Sequence, residues 1–205
     1  MLRRGLISLI ESEPDLAVCG EASTCPAAFA AIGQHKPDLV VVDLGLEDCE
    51  GLDLIKDMKT HHPNTPALVL SMHDESLYAE RACRAGARGY VSKQQLDDTV
   101  LIAIRRVLNG EMYMSEKMGA LYAEKFLGGR TLQIDSPLAV LTDRELEVFR
   151  LIGQGQGTRQ IAKRLHLSIK TIESYRAHIK QKLTIPSGAE LTQRATHWVE
   201  TGQIS

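Results

Sequence analysis

The sequence lacks the features that mark membrane-spanning, secreted and metal-binding proteins. No apolar run approaches the roughly 18 residues that a transmembrane helix needs. Ser8 and Glu11 interrupt the apolar start of the chain, so no signal peptide is expected. The four cysteines form no CxxC pair, which favours reduced thiols over disulfides or a zinc site. With 43% hydrophobic and 24% charged residues, the 205-residue chain has the composition of a globular protein, and we expect it in the cytoplasm.

Charge is distributed unevenly along the chain. Residues 1–137 contain 14 basic and 20 acidic side chains, whereas residues 138–205 contain 10 and 6. The net charge of −2 therefore conceals an acidic front half and a basic tail. This asymmetry predicts two domains, of which only the second suits a polyanion.

The front half alternates between strand and helix patterns. Apolar runs typical of strands occur at residues 16–22, 38–43, 67–72 and 88–93, and helical patterns separate them. This alternation predicts a doubly wound, parallel α/β domain over residues 1–110. Residues 111–137 contain glycine and proline and predict a linker, and residues 138–205 show helical patterns alone, which predicts a small all-α domain.

Asp43 stands at the end of a strand that is predicted to be buried. Residues 39–42 are apolar on both faces, as in the interior of a parallel sheet. In open α/β sheets, ligands bind at the carboxyl ends of the strands. A carboxylate in this position therefore indicates a polar site at the edge of the sheet.

The tail predicts a helix-turn-helix. Thr142 and Glu145 have the spacing of a capping box, which starts a helix. A short helix over residues 158–166 and a longer one over residues 168–183, with Ser168 as its N-cap, follow after tight turns.

The longer helix has one apolar side and one small, polar side. At about 100° per residue, the apolar side consists of Ile169, Ile172, Ile179 and Leu183. The opposite side consists of Lys170, Ser174, Ala177 and Gln181, flanked by Thr171 and His178. Such a side fits a major groove, and six basic residues around it suit phosphates: Arg159, Lys163, Lys170, Arg176, Lys180 and Lys182. Amphipathicity alone fits a solvated helical pair equally well.

The tail also resembles the LuxR-type helix-turn-helix over LTDRELEVFRLIGQG, IAKRL, LSIKTIES and IKQKL. The resemblance implies a four-helix domain in which residues 168–183 form the recognition helix and GAELTQRATHWVE forms a fourth helix that helps dimerisation. It further implies that Glu173, Ser174 and Ala177 reach the bases. Tyr175 departs from the histidine that is frequent in the family.

With this tail, the whole chain resembles a NarL/FixJ-type response regulator, whose front half is a flavodoxin-like receiver domain. The matching residues are Asp43, Ser71, Gly86, Tyr90 and Lys93. The resemblance implies that a sensor histidine kinase phosphorylates Asp43, while Ser71 hydrogen-bonds the phosphoryl oxygens and Lys93 neutralises one of them. It implies that Tyr90 turns inward with Ser71 and exposes a dimerisation face.

The chain departs from the receiver pattern at its start. A receiver begins with a strand, central in the order 2-1-3-4-5, that ends in two acidic residues, and these hold Mg²⁺ beside the phosphorylated aspartate. Residues 1–16 match the first helix instead, so Asp43 is the one metal ligand that the pattern retains and Mg²⁺ binding is in doubt. Two explanations are open: about 15 residues precede this sequence, or the receiver is a variant that cannot bind Mg²⁺ and regulates without phosphorylation. The retention of Asp43, Ser71 and Lys93 favours the first.

Together these patterns predict a DNA-binding response regulator of a two-component phosphorelay, which controls transcription as a homodimer after phosphorylation of Asp43. One alternative is a phosphorylation-independent regulator with a degenerate receiver. Another is an interaction adaptor that does not bind DNA. Apart from these residues, no nucleophile–base pair stands out in the sequence that would indicate a metabolic enzyme.

Overall fold

The computed structural model describes residues 2–46, 51–72, 75–93, 98–116, 118–120 and 137–202. The chain divides into two compact units, Met1–Ala123 and Glu124–Ser205. The predicted domains, residues 1–110 and 138–205, lie inside these units. Their limits remain a prediction, because residues 121–136 of the predicted linker lie outside the described part of the chain.

The first unit is an α/β layer. Its helices and strands are α1 (Leu2–Glu11), α2 (Cys25–His35), β1 (Val40–Val42), α3 (Gly51–His61), β2 (Ala67–Ser71), α4 (Glu75–Ala85), β3 (Gly89–Ser92) and α5 (Asp98–Leu108). The described strands form a parallel sheet in the order β1-β2-β3. The predicted α/β class with parallel pairing is confirmed.

Local sequence accounts for where these helices begin and end. The Thr24 side chain accepts a hydrogen bond from the Ala27 amide and caps α2. Gly86 and Gly110 follow α4 and α5 with φ of 125° and 82°, a backbone conformation that glycine adopts without strain.

One part of the core of the first unit lies between the sheet and α5. Leu68, Leu70 and Val91 pack against Val100 and Ile104. Half-buried apolar side chains of α1 and of the segment after it lie against this cluster: Leu6, Ile10 and Leu16. Fully burying an aliphatic side chain contributes about 1.5–3 kcal/mol to stability, so this cluster stabilises the sheet substantially.

The prediction of a strand at residues 16–22 is wrong. This segment has no regular secondary structure. In the order 2-1-3-4-5 a central strand would separate it from β1, and no such strand occurs among the described residues. Without a neighbour, the backbone of residues 16–22 has no ladder to join, whatever its β propensity.

Tyr113 extends the sheet from a region that the sequence assigned to the linker. Its backbone oxygen accepts from the Tyr90 amide at 3.2 Å, and its amide donates to the Arg88 oxygen at 2.9 Å. Tyr113 and Gly89 form an isolated parallel bridge. The chain after α5 therefore returns to the edge of β3.

The cysteines only partly match the predicted reduced state. Cys25 is disulfide-bonded, so the prediction is wrong there. Cys19 and Cys83 are free thiols, as predicted, and burial, followed by the charge of Glu80, raises the pKa of Cys83.

The second unit is helical in its described part. It contains a 3₁₀ turn (Pro137–Val140), α6 (Asp143–Gly153), α7 (Thr158–Arg164), α8 (Ile169–Lys182) and α9 (Gly188–Thr201). Its core includes Leu146, Phe149, Ile152, Ile161, Ile172, Ile179, Leu191 and Ala195. The helix-turn-helix and the fourth helix are confirmed. Across the described residues of both units, every helix is too short or too polar to span a bilayer.

Gly153 allows α6 and α9 to approach each other closely. A Cβ atom at this position would lie 2.6 Å from Cγ2 of Val199 and closer still to the backbone oxygen of Ala195. Only glycine leaves room for this helix contact.

Candidate functional site

Three side chains of the first unit are brought to one edge of the sheet. Asp43 follows the last residue of β1, Ser71 ends β2, and Lys93 follows the last residue of β3. In the sheet register Ser71 lies beside Ser92, the residue before Lys93. Parallel strands end on the same side, so the sequence placed these three residues at a common edge correctly.

The Asp43 carboxylate has a defined contact on each oxygen. Oδ2 forms a short ion pair with the Lys93 ammonium, and Oδ1 accepts a hydrogen bond from the Gly45 amide at 3.0 Å. The Asp43 side chain is 40% exposed, whereas that of Lys93 is 10% exposed. The arrangement therefore presents a solvent-accessible carboxylate backed by a buried positive charge.

Ser71 and Tyr90 are both buried. Ser71 is fully buried at the end of β2, and Tyr90 is 1% exposed within β3, where it pairs with Val69. The tyrosine ring thus lies inside the first unit, and its predicted movement on phosphorylation stays a prediction.

Gly51 is a positioning residue that sequence reasoning did not single out. Its amide donates to the Leu44 oxygen at 3.2 Å. A Cβ atom here would lie 2.7 Å from Leu44 Cα and even closer to the Asp43 backbone oxygen. The sequence did contain an indication of this role. Gly51 follows an acidic residue and lies a few positions after Asp43, the aspartate at the end of β1.

The described residues do not form a magnesium site. Asp43 already binds the Lys93 ammonium and the Gly45 amide, which compete with a cation for its oxygens. No group of three or more His, Cys, Asp or Glu side chains able to hold a metal occurs in the described part of the chain. A hard cation such as Mg²⁺ requires several oxygen ligands, so these residues alone do not fit it.

The second unit presents the polar side of α8 outward. Ser168 caps the helix by accepting from the Thr171 amide at 3.0 Å, as predicted. Lys170, Ser174, Ala177 and Gln181 are exposed, and so are the flanking Glu173 and His178; Thr171 is half-buried. On the inner side, Ile172 and Ile179 are buried, but Ile169 is 45% exposed because the first turn of α8 extends beyond the core.

Five of the six basic residues predicted to contact phosphates have no carboxylate partner among the described residues: Arg159, Lys163, Lys170, Arg176 and Lys180. Arg159, Lys163 and Lys170 are exposed, and Arg176 and Lys180 are half-buried. Their charges are therefore available to an external anion.

Lys182 differs from these five. Its ammonium lies 2.6 Å from Oε2 of Glu145, whose side chain is only 4% exposed. The same oxygen accepts from the Thr142 amide at 2.8 Å, and the Glu145 amide donates to the Thr142 hydroxyl at 3.3 Å, which confirms the capping box. Sequence reasoning found the capping box and missed the ion pair, because Glu145 and Lys182 are 37 positions apart.

The Glu145 carboxyl is held in its charged form. Burial acts to raise its pKa, but the hydrogen bonds from Lys182 and from Thr142 outweigh burial and lower it. One oxygen of this buried carboxylate, Oε2, therefore accepts from both an ammonium and an amide.

Comparison with known proteins agrees with this architecture. The "Response regulator receiver domain" family matches residues 1–105, and the family "Bacterial regulatory proteins, luxR family" matches residues 139–195. The chain is 32% identical over 199 residues to the oxygen regulatory protein NreC of Staphylococcus haemolyticus and to that of Staphylococcus aureus, covering 95% of this chain and 92% of each relative.

Solved structures give the same result. RcsB from Salmonella enterica serovar Typhimurium, bound to promoter rprA in the presence of phosphomimetic BeF3−, matches with 25% identity and a TM-score of 0.65, covering 93% of this chain and 90% of RcsB. A LuxR-family two-component response regulator from Aurantimonas sp. SI85-9A1 matches with 32% identity and a TM-score of 0.57, covering 62% of this chain and 90% of that one.

The two matched families define a class of protein in which a receiver domain precedes a helix-turn-helix. This chain belongs to the DNA-binding two-component response regulators with a LuxR-type domain.

Proposed function

We propose that Asp43 is the phosphoacceptor of this regulator and that a sensor histidine kinase is the donor. The observation that carries the proposal is the accessible Asp43 carboxylate beside the buried Lys93 ammonium. An exposed oxygen can approach phosphorus in line, and a fixed positive charge stabilises the negative charge of the transferring group.

The transfer balances as a simple displacement. One Asp43 oxygen forms a bond to phosphorus, and the bond from phosphorus to the histidine nitrogen of the kinase breaks. The nitrogen retains the electron pair and the aspartate becomes an acyl phosphate. Lys93 then shares its ammonium between the carbonyl and phosphoryl oxygens, while the Ser71 hydroxyl donates to a phosphoryl oxygen. These roles are supported by the position of both residues at the strand ends.

Phosphorylation would control the second unit through the sheet edge. Ser71 and Tyr90 lie on neighbouring strands, so a hydroxyl drawn towards the phosphoryl group changes the space available to the tyrosine ring. We propose that the inward Tyr90 favours a homodimer. The RcsB structure, bound to a promoter with a phosphomimetic present, supports this coupling of phosphate to DNA binding by analogy.

On the DNA side, we propose that α8 enters the major groove. Glu173, Ser174 and Ala177 would face the bases, with Thr171 and His178 beside them. The exposed basic residues Arg159, Lys163 and Lys170, with Arg176 and Lys180, would contact phosphates. Because it binds DNA, the protein would act in the cytoplasm, as a transcription regulator rather than a metabolic enzyme.

Intact-mass spectrometry tests the phosphoacceptor. The full chain is incubated with acetyl phosphate, once with Mg²⁺ and once with EDTA. The expected result is one added phosphoryl group, lost in Asp43→Asn and retained in Asp57→Asn, a control that changes an exposed carboxylate on α3. Uptake by Asp43→Asn would assign the acceptor elsewhere.

Uptake that persists in EDTA would show that the site works without the cation that receivers of this family bind. No uptake under either condition, with salt-dependent DNA binding retained, would favour a phosphorylation-independent regulator. Affinity for DNA that does not fall with log[salt] would instead favour an interaction adaptor.

A further inference from the structure

We propose that Lys182 is a positioning residue that fixes the recognition helix α8 against α6, and that it does not contact DNA phosphates. The proposal rests on the DNA binding described above, and it reverses the role that sequence alone gave to this lysine.

The first observation is the geometry of the pair. Lys182 is the last residue of α8, and its ammonium lies 2.6 Å from a Glu145 oxygen on the first turn of α6. That oxygen also accepts from the Thr142 amide. One carboxylate therefore starts α6 and binds the end of α8 at the same time.

The second observation is the direction of the side chain. At about 100° per residue, Lys182 lies roughly 120° around the helix from Lys170. Gln181, by contrast, lies within about 20° of Lys170. Lys182 thus belongs to the flank of α8 that faces α6, whereas Lys170 lies on the outer side.

The third observation is that His178 approaches the other oxygen of the same carboxylate. Its Nδ1 lies 3.9 Å from Glu145 Oε1, although most of the ring is exposed. His178 and Lys182 are one turn apart on α8, so two successive turns are directed towards Glu145. A buried carboxylate between them holds the rotation and height of the helix relative to α6.

Orientation of this helix governs recognition. A bidentate contact to a base edge needs the right rotation of α8, whereas contacts to phosphates tolerate small shifts. Loss of the pair is therefore expected to reduce affinity for a cognate sequence more than affinity for arbitrary DNA.

The salt dependence of binding separates a positioning role from a phosphate contact. Each phosphate contact contributes about 0.9 to the slope of log K against log[salt]. Binding of the full chain is measured on a duplex selected from a random library and on an unrelated duplex of equal length. Lys182→Gln is compared with Lys170→Gln, a matched change at an exposed lysine with no carboxylate partner among the described residues.

For Lys170→Gln we expect weaker binding to both duplexes and a slope lower by about 0.9. For Lys182→Gln we expect an unchanged slope, unchanged binding to the unrelated duplex, and about tenfold weaker binding to the selected one, the size of one disturbed base-pair contact. Lys182→Arg, which keeps a charged donor, should restore the selected affinity.

Glu145→Gln supplies an independent variant, since the buried Glu145 side chain cannot reach DNA. Its amide oxygen can still cap α6, so the fold is retained. It should reproduce the loss seen in Lys182→Gln, and the double variant should be no weaker than either single one.

A slope that falls by about 0.9 in Lys182→Gln, or additive losses in the double variant, would overturn the positioning role. A wild-type chain whose affinity for DNA does not depend on salt would overturn both this role and the proposed function, and is thereby distinguished from failure of the Lys182 assignment alone.

Discussion

Each unit of the molecule has a lysine–carboxylate pair, and the two pairs differ in which partner is buried. In the receiver the cation Lys93 is buried and the carboxylate Asp43 is exposed. In the DNA-binding unit the carboxylate Glu145 is buried and the cation Lys182 is more exposed. Identical chemical groups therefore serve different purposes: an exposed carboxylate can react with an incoming phosphodonor, and a buried one can only hold structure together.

The surroundings of the two carboxylates reinforce this difference. Asp43 accepts one backbone amide, from Gly45, in an accessible turn. Glu145 accepts the Thr142 amide and the Lys182 ammonium within the protein. Stability should thus depend on the second pair and reactivity on the first.

The largest expected effect comes from Gly153→Ala. The added methyl group would overlap α9, and we expect a loss of about 3 kcal/mol from the free energy of unfolding of the DNA-binding unit. Trp198, the only tryptophan, packs against Phe149 in this unit, so its fluorescence reports unfolding there. Gly188→Ala, where a Cβ atom would have only an ordinary contact, is the control and should be nearly neutral. An equal loss in both variants would contradict the close-approach argument.

Removing each lysine tests the comparison directly. Lys182→Met leaves the buried Glu145 without its cation, and we expect a loss of about 1–3 kcal/mol. Lys93→Met leaves Asp43 accessible to water, and we expect a loss of less than about 1 kcal/mol from the receiver. Urea titration followed by circular dichroism and Trp198 fluorescence measures both. A larger loss of stability for Lys93→Met than for Lys182→Met would contradict the comparison.

The pH dependence of stability is a further test of the role of the buried Glu145 carboxylate. The pKa of Glu145 is lowered in the folded state, because hydrogen bonds to its charged form outweigh the effect of burial. A lowered folded pKa contributes stability that is present above the ordinary value of 4.5 and is lost as pH falls through the folded pKa. The free energy of unfolding, followed by Trp198 fluorescence, should decrease as the pH falls below about 4.5. The Glu145→Gln variant should be less stable than the wild type at neutral pH, and its free energy of unfolding should fall less steeply as the pH is lowered. Parallel curves would exclude Glu145 as the source.

A small effect of opposite sign is expected at the turn that follows α8. Thr184 has φ of 54°, and the amides of Thr184 and Ile185 donate back to Gln181 and Lys180 in the pattern of a Schellman motif. Glycine suits this conformation, so Thr184→Gly should stabilise the unit by about 1 kcal/mol. Thr192→Gly, inside α9, should instead destabilise it by about 0.3 kcal/mol, the difference between the helix propensities of threonine and glycine. Thermal melts of the two variants measure the opposite signs, and equal signs would contradict this account.

Sequence reasoning succeeded where the determinants are local. The capping box of Thr142 and Glu145 and the Ser168 cap each depend on a few neighbouring residues. Asp43, Ser71 and Lys93 could be placed at one edge because parallel strands share a direction.

Sequence reasoning failed where the structure depends on contacts between residues that are far apart in the sequence. Residues 16–22 have a strand-like pattern but no neighbour, and strand formation requires one. The Lys182–Glu145 pair and the return of Tyr113 to β3 join residues 37 and 24 positions apart. Hydrophobic periodicity contains no information on which partner such residues meet.

The position of β1 has a consequence for motion. Among the described strands, β1 is three residues long and has β2 as its one neighbour, whereas β2 is hydrogen-bonded on both sides. Local opening begins where backbone hydrogen bonds are few, so the amides of β1 should exchange with deuterium sooner than those of β2. Asp43 directly follows this least protected strand. The proposed phosphoacceptor is therefore attached to the part of the sheet that can open locally without unfolding the rest.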